Sequence, residues 1–318
     1  MELDLKDRRI LAEIEMNAKL PHSIIAKRVK LSKQVVKYRI EKLESEKLIE
    51  GYNAVIDLNK LGENIYVVYL KLIQLSSTKE KEWIKKLNLD KDVLAVGKNV
   101  GIWDLTIALK SKDNQELDKI FKKITSGMVN KIKEKLITSE IESTYYNLHL
   151  LLQGDSVEAN TVNTKESLDL DDIDIIILKE LSKNCRISLL NLSEKVKLTP
   201  NGTKDRIKKL EERKIIIAYK TKINYEKLDY LHFRLFLHLK NFDENLYSKI
   251  KSFLKNKGNI ESVSRYIGYA DVDLRCYTKG IVELYQLITE IKDNFLEEII
   301  EINSVPIFGW DRINYYSK

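Results

Sequence analysis

Cysteine is nearly absent from this chain. Two residues in 318, Cys185 and Cys276, provide neither a disulfide framework nor the paired spacing of a metal motif. Both read as small buried residues in a reducing compartment. The charged, amphipathic start, MELDLKDRRI, does not read as a secretion signal, so the expected location is cytoplasmic. Proline occurs only three times, and no apolar run approaches the ~20 residues of a membrane span, so no membrane partner is expected. Of the four histidines only His232 and His238 could share a strand face, and no metal site is expected from them. A glycine-rich phosphate loop and a serine or cysteine nucleophile motif are also missing. Neither a cofactor nor an enzymatic activity is therefore expected.

What is present is the composition of a soluble globular protein, 43% hydrophobic and 32% charged. A net charge of +7 is compatible with nucleic acid but proves nothing. The informative feature is a repeat. VKLSKQVVKYRIEKLESEKLI begins at Val29 and VKLTPNGTKDRIKKLEERKII at Val196, 167 positions later. From Leu3 to Tyr52 there are 19 identities in 50 positions without a gap, and the offset persists at Gly101-Ile-Trp-Asp104 against Gly268-Tyr-Ala-Asp271. So long a period marks duplicated domains rather than a solenoid. The polar stretch Gly154 to Ser167 reads as the linker between them.

Each unit divides again. Asp4 can cap a helix with apolar residues at Ile10, Leu11 and Ile14. A second helix is expected from about Ser23 to Val29, and a third after Ser32 with Val36, Ile40 and Leu43 inward. In the second unit Thr199 takes the cap, Pro200 the first turn, and Thr203, Ile207 and Leu210 the buried stripe. Helix, helix, short turn, helix is a helix-turn-helix. Strand patterns follow at 65–73, 103–110, 232–240 and 271–278, with helical stretches at 78–88, 113–126, 243–256 and 279–294. The order βαββαβ is that of a ferredoxin-like sandwich. The fold class is thus α+β, a tandem repeat of helix-turn-helix (1–60 and 168–227) and sandwich (61–153 and 228–318), with the linker at 154–167. Trp83, Ile84 and Leu87 are read as sandwich core.

Positive charge gathers on the second and third helices. From Leu20 to Lys42 there are seven Lys or Arg and one acid, and from Arg186 to Lys209 seven and two. Basic side chains neutralise phosphates, while a few polar side chains on a groove-facing helix read base edges. The expected partner is double-stranded DNA. The candidate contacts are Ser32, Lys33, Gln34, Lys37, Tyr38, Arg39 and Lys42, and in the second unit Thr199, Asn201, Thr203, Lys204, Arg206, Lys208 and Lys209.

L-D-x-x-D-x-x-I-L, then Asn17-Ala-Lys-Leu20 and Asn184-Cys-Arg-Ile187, V-x-L-[ST] and the [RI]-x-x-L-E stretch resemble the leucine-responsive/asparagine regulator (Lrp/AsnC) family. The resemblance implies a winged helix-turn-helix, a β hairpin leading to an amino-acid-sensing sandwich, and self-association through the sandwiches. It also implies effector binding at the Gly-x-x-Asp elements, Gly101 with Asp104 and Gly268 with Asp271. A turn or capping role competes for both aspartates. Trp103 is replaced by Ala270 in the second unit, so two effector pockets would differ in volume. The chain departs from the family pattern in carrying Lys47 and Lys214 where glycine is usual, and in its tandem form. Two alternatives stand beside a regulator: a siroheme-decarboxylase-like enzyme of similar architecture, and a ligand sensor whose DNA contacts have decayed.

Overall fold

The computed structural model describes residues 2–152, 158–162, 168 and 170–311. The first unit opens with three helices, α1 (Leu5–Ile14), α2 (His22–Val29) and α3 (Lys33–Ser45). Their starts are dictated locally. The Asp4 carboxylate accepts from the Asp7 N–H and the Ser32 hydroxyl from the Val35 N–H, each satisfying a donor that the helix leaves free. The second unit repeats the set as α6 (Asp172–Lys183), α7 (Leu189–Val196) and α8 (Pro200–Glu212), capped by Asp171 and Thr199. Both triplets bury the stripes expected of them, Val36, Ile40 and Leu43 in one and Thr203, Ile207 and Leu210 in the other.

A strand follows each triplet, β1 (Ile49–Ile56) and β7 (Ile216–Ile223). Neither forms a hairpin within its own unit, contrary to expectation. They pair antiparallel with each other as a two-stranded ribbon. A hydrophobic cluster containing residues of both triplets, among them Ile14, Leu43, Leu181 and Leu210, then packs around it.

The sandwich strands are β2 (Asn64–Leu72), β3 (Val93–Asn99), β4 (Leu105–Ser111) and β5 (Ile132–Tyr146), with helices α4 (Ser77–Leu89) and α5 (Asn114–Ile124) between them. In the second unit they are β8 (Leu231–Leu239), β9 (Ile260–Ile267), β10 (Val272–Thr278) and β11 (Ile299–Asp311), with α9 (Glu244–Lys255) and α10 (Ile281–Asn294). The orders β5-β2-β4-β3 and β11-β8-β10-β9 are the same arrangement twice. The two sheets are then stitched reciprocally. Long β5 pairs with β2 and, further along, with β9 of the other unit; β11 pairs with β8 and then with β3. Eight strands therefore form a closed ring with no free edge among them. Val67, Tyr69, Trp103, Phe236, Ala270 and Val305 fill the space between the two sheets, while the helices cover the outer faces. Trp83 and Leu87 are in that outer core, with Ile84 packed against it.

One further strand, β6 (Glu158–Val162), pairs with β5. It lies in the middle of the stretch read from sequence as a plain linker. A polar segment without periodicity still has backbone groups to pair, and β5 offers it a ladder. Residues 154–157 and 163–167 of that stretch fall outside the described residues.

The contacts between units obey a rule. The Asp57 N–H donates to the Ile215 carbonyl at 2.9 Å and the Asn224 N–H to the Leu48 carbonyl at 2.8 Å. Ala18 bonds Tyr219, and Cys185 bonds Tyr52, both at 2.7 Å. Each pair becomes the other when 167 is added to one number and subtracted from the other. That reciprocity defines an isologous, two-fold arrangement inside one chain. The sandwiches, similar enough in sequence to pair within one chain or across two, thus pair within the molecule.

Glu15 breaks the symmetry. It is 1% exposed beneath the ribbon, its Oε1 accepting from the Leu148 N–H at 2.8 Å. Burial raises its carboxyl to about 7. Because the folded pKa lies above the usual carboxylate value, the unfolded chain releases this proton first, and stability falls as pH rises towards 7. Glu15→Gln should therefore gain stability relative to wild type by on the order of 2 kcal/mol between pH 5 and pH 8. Urea unfolding midpoints at the two pH values check this, and an unchanged difference between the proteins refutes it.

Candidate nucleic-acid interface and a polar cavity

Helices α3 and α8 each present one apolar face inward and one basic face outward. Ser32, Lys33, Gln34, Lys37, Tyr38 and Lys42 are exposed, as are Thr199, Asn201, Lys204, Lys208 and Lys209. Lys37 pairs with Glu41 at 3.6 Å and Lys208 with Glu212 at 3.3 Å, both across one helical turn and open to water. Such exposed pairs contribute well under 1 kcal/mol and yield readily to a phosphate. Ser32 and Thr199 spend their hydroxyls as caps.

Three candidates have another role. The Arg39 guanidinium bonds Asp4 at 2.7 Å and Asp7 at 2.8 Å, and Arg206 bonds Asp171 at 2.6 Å and Asp174 at 3.2 Å. Each arginine thus clamps the third helix onto the carboxylates at the start of the first, which the positive end of that helix dipole also favours. The backbone N–H of Asp7 and the Arg39 guanidinium together hold the Asp4 carboxyl below its usual value. Thr203 is fully buried, its hydroxyl donating to the Thr199 carbonyl at 3.0 Å, so it cannot reach DNA.

Lys47 and Lys214, the positions where glycine was expected, have φ of 57° and 53°. The backbone keeps the left-handed turn that closes the third helix at a cost of roughly 1 kcal/mol per residue for a side chain there.

The carboxylates of the Gly-x-x-Asp elements bond the backbone of neighbouring strands. Asp104 accepts from the Leu72 N–H at 2.7 Å and pairs with Lys71 at 2.9 Å; Asp271 accepts from the Leu239 N–H at 2.8 Å. Each carboxylate ties the start of one strand to the end of its neighbour. Gly101 and Gly268 have φ of 123° and 124°, and a Cβ on Gly268 would come within 2.9 Å of the Ile137 carbonyl across the interface. Trp103 and Ala270 lie in the core between the sheets.

A site missed by the sequence lies between the ribbon and the second sheet. A cavity of ≈ 160 Å³ is lined by Glu50 and Asn53 of β1, Lys220 and Thr221 of β7, Tyr225, and His232, Glu261 and Tyr277 of the second sheet, among others. Lys220 Nζ reaches Glu261 Oε1 at 2.8 Å, while Glu261 Oε2 is 3.4 Å from His232 Nε2 without hydrogen-bond geometry. Burial opposes charge on Glu261, but Lys220 and Arg275 hold its carboxyl well below the usual range. Burial lowers His232, which stacks on Tyr277 at 4.3 Å. Glu261 Oε2, His232 Nε2 and the Tyr225 hydroxyl are buried with no hydrogen-bond partner among the described residues. Atoms of that kind call for a bound partner. At the places matching Tyr225, His232 and Glu261 the first unit holds the apolar Leu58, Ile65 and Leu94. Sequence periodicity could not find the cluster, because its members come from five strands, β1, β7, β8, β9 and β10, and from both units. His238 packs apart from it on Tyr269, and the described residues hold no group of three or more His, Cys, Asp or Glu that could bind a metal ion.

Two basic, capped helix-turn-helix units on a two-fold frame define a protein built to bind DNA, and known proteins agree. The family model for winged helix-turn-helix DNA-binding matches residues 3–50 and 170–217. An uncharacterized HTH-type transcriptional regulator of Pyrococcus furiosus is 30% identical over 139 residues, which is 43% of this chain and 90% of that protein. The HTH-type transcriptional regulator LrpC of Bacillus subtilis is 34% identical over 124 residues, 39% of this chain and 84% of that protein. The chain belongs to the Lrp/AsnC family of transcriptional regulators, as two units in tandem. Over its full length the fold is similar to that of the siroheme decarboxylase NirDL, with a TM-score of 0.65 at 13% identity, covering 99% of this chain and 95% of that one.

The arginine clamps can be separated from DNA contacts by experiment. Arg39→Ala should lower stability by roughly 1 kcal/mol, since it strips two carboxylates of their partner, yet leave the salt dependence of DNA binding unchanged. A reduced salt slope would return Arg39 to the interface.

Proposed function

We propose that the protein is a sequence-specific regulator that binds double-stranded DNA through α3 and α8 and adjusts that binding to a small effector. The observation that carries the DNA reading is a basic framework exposed twice at equivalent places, Lys37 with Lys204 and Lys42 with Lys209, on helices related by the internal two-fold. These lysines contact phosphate, and Gln34 and Asn201 read base edges, adenine being their best partner. The exposed framework also favours an active DNA binder over a sensor with decayed contacts. Lys37→Ala should weaken binding to all duplexes and lower the salt slope by about 1, whereas Gln34→Ala should alter base preference. Titrations at several salt concentrations check both, and salt-independent binding would sink the reading.

For the effector, the polar cavity is a better place than the Gly-x-x-Asp elements, whose carboxylates already hold backbone and lysine. Its volume of ≈ 160 Å³ matches a ligand about the size of benzene or a small amino acid. The same volume is too small for a tetrapyrrole, so this cavity does not serve the enzyme reading. The cavity touches both the ribbon and the second sheet, so occupancy can bias the helix-turn-helix pair only through differential affinity for two arrangements. Calorimetric titration with the twenty amino acids should give heat that His232→Phe abolishes and Asp104→Asn leaves intact. The reverse pattern would move the effector back to the Gly-x-x-Asp element.

A further inference from the structure

We propose that one chain recognises an operator of two unlike half-sites in inverted orientation. The proposal rests on the DNA-binding reading and adds the form of the DNA. The reciprocal bonds Asp57–Ile215 and Asn224–Leu48, with Ala18–Tyr219 and Cys185–Tyr52, relate α3 to α8 by a two-fold axis. A two-fold protein presents its helices to inverted half-sites. In a pair of identical subunits those half-sites would be read identically. Here the helices are joined in one chain and their outward residues differ.

Apart from Lys33, which becomes Pro200, the differences among the outward residues fall on the base-reading positions. The phosphate-reaching lysines repeat, Lys37 as Lys204 and Lys42 as Lys209, while Gln34 becomes Asn201, Tyr38 becomes Asp205 and Glu41 becomes Lys208. All six of these differing residues are exposed. Tyr38 is 67% exposed and offers an aromatic ring and a hydroxyl, whereas Asp205 is acceptor-only and suits a cytosine amino group. Asp205 also repels phosphate, so it is tolerated only where it meets such a donor. Alongside, Val35 offers methyl groups where Gly202 has no side chain. The two helices therefore dock alike but read different bases, and the chain sits on its operator in a single orientation.

The test starts from duplexes selected by the full-length protein out of random sequence. The best site is compared with two symmetrised versions, each carrying one arm copied onto both sides. We expect the unlike-arm site to bind at least about tenfold more tightly than either, the effect of about one good base contact. The double variant Asn201→Gln, Asp205→Tyr, altered only at exposed positions, should then prefer the site with two first arms. A selected site that is a perfect palindrome, or a symmetrised duplex bound as tightly as the natural one, overturns the proposal while leaving the DNA reading intact. Absence of salt-dependent binding to every duplex overturns both.

Discussion

The exchange of strands between the two units is the constraint on which everything else depends. β1 has no partner in its own unit, and β7 has none in its own. A lone strand leaves its backbone donors and acceptors unpaired, and isolated ribbons are marginal in water. The ribbon survives because helices from both units pack around it and because β5 and β11 cross between sheets further down. Cation–aromatic contacts reinforce it reciprocally, Arg186 over Tyr52 at 3.9 Å and Lys19 over Tyr219 at 4.4 Å. The position of each recognition helix is therefore set by the partner unit as much as by its own.

On this symmetric frame the second half has diverged in its polar interior. Arg234 and Asp273 form an ion pair at 2.6 Å with both side chains 4% exposed, and the Tyr69 hydroxyl of the first unit donates to the same carboxylate at 3.1 Å. Matching places in the first unit hold Val67 and Thr106. Burying such a pair gains little over packed hydrocarbon, but removing one partner leaves an uncompensated charge. Here it joins the two sheets at one defined place. The cavity around Glu261 draws Lys220, His232, Tyr225 and Tyr277 from the same half, with Glu50 and Asn53 of the first unit completing its wall.

Local structure was legible wherever one residue decides it. Asp4, Ser32, Asp171 and Thr199 cap their helices because a short side chain with an oxygen reaches the free N–H three residues on, whatever surrounds it. The inward stripes were equally legible, since helical spacing alone puts them on one face. The carboxylates that Arg39 and Arg206 meet were not legible, because a pattern says that a side chain points outward but not what another helix places there. Thr203 was counted both in the buried stripe and among the contacts, and burial decides for the stripe. The Gly-x-x-Asp aspartates show the same limit: spacing marked a special turn, and only the neighbouring strand end shows that the carboxylate closes it.

By itself the sequence determined that the protein is a duplicated α+β chain, that each copy starts with a basic helix-turn-helix, and that the charge repeats with the fold. These follow from periodicity, capping and composition, which act over a few residues. Tertiary structure alone decided that the copies interlock through a two-fold inside one molecule, that β6 joins the sheet from within a polar stretch, and that Glu261, His232 and Tyr225 share a cavity. The interlock depends on which strand edge meets which over separations of more than a hundred residues, and the other two on which strands tertiary packing brings side by side. Backbone pairing is indifferent to side-chain identity, so no local pattern announces it.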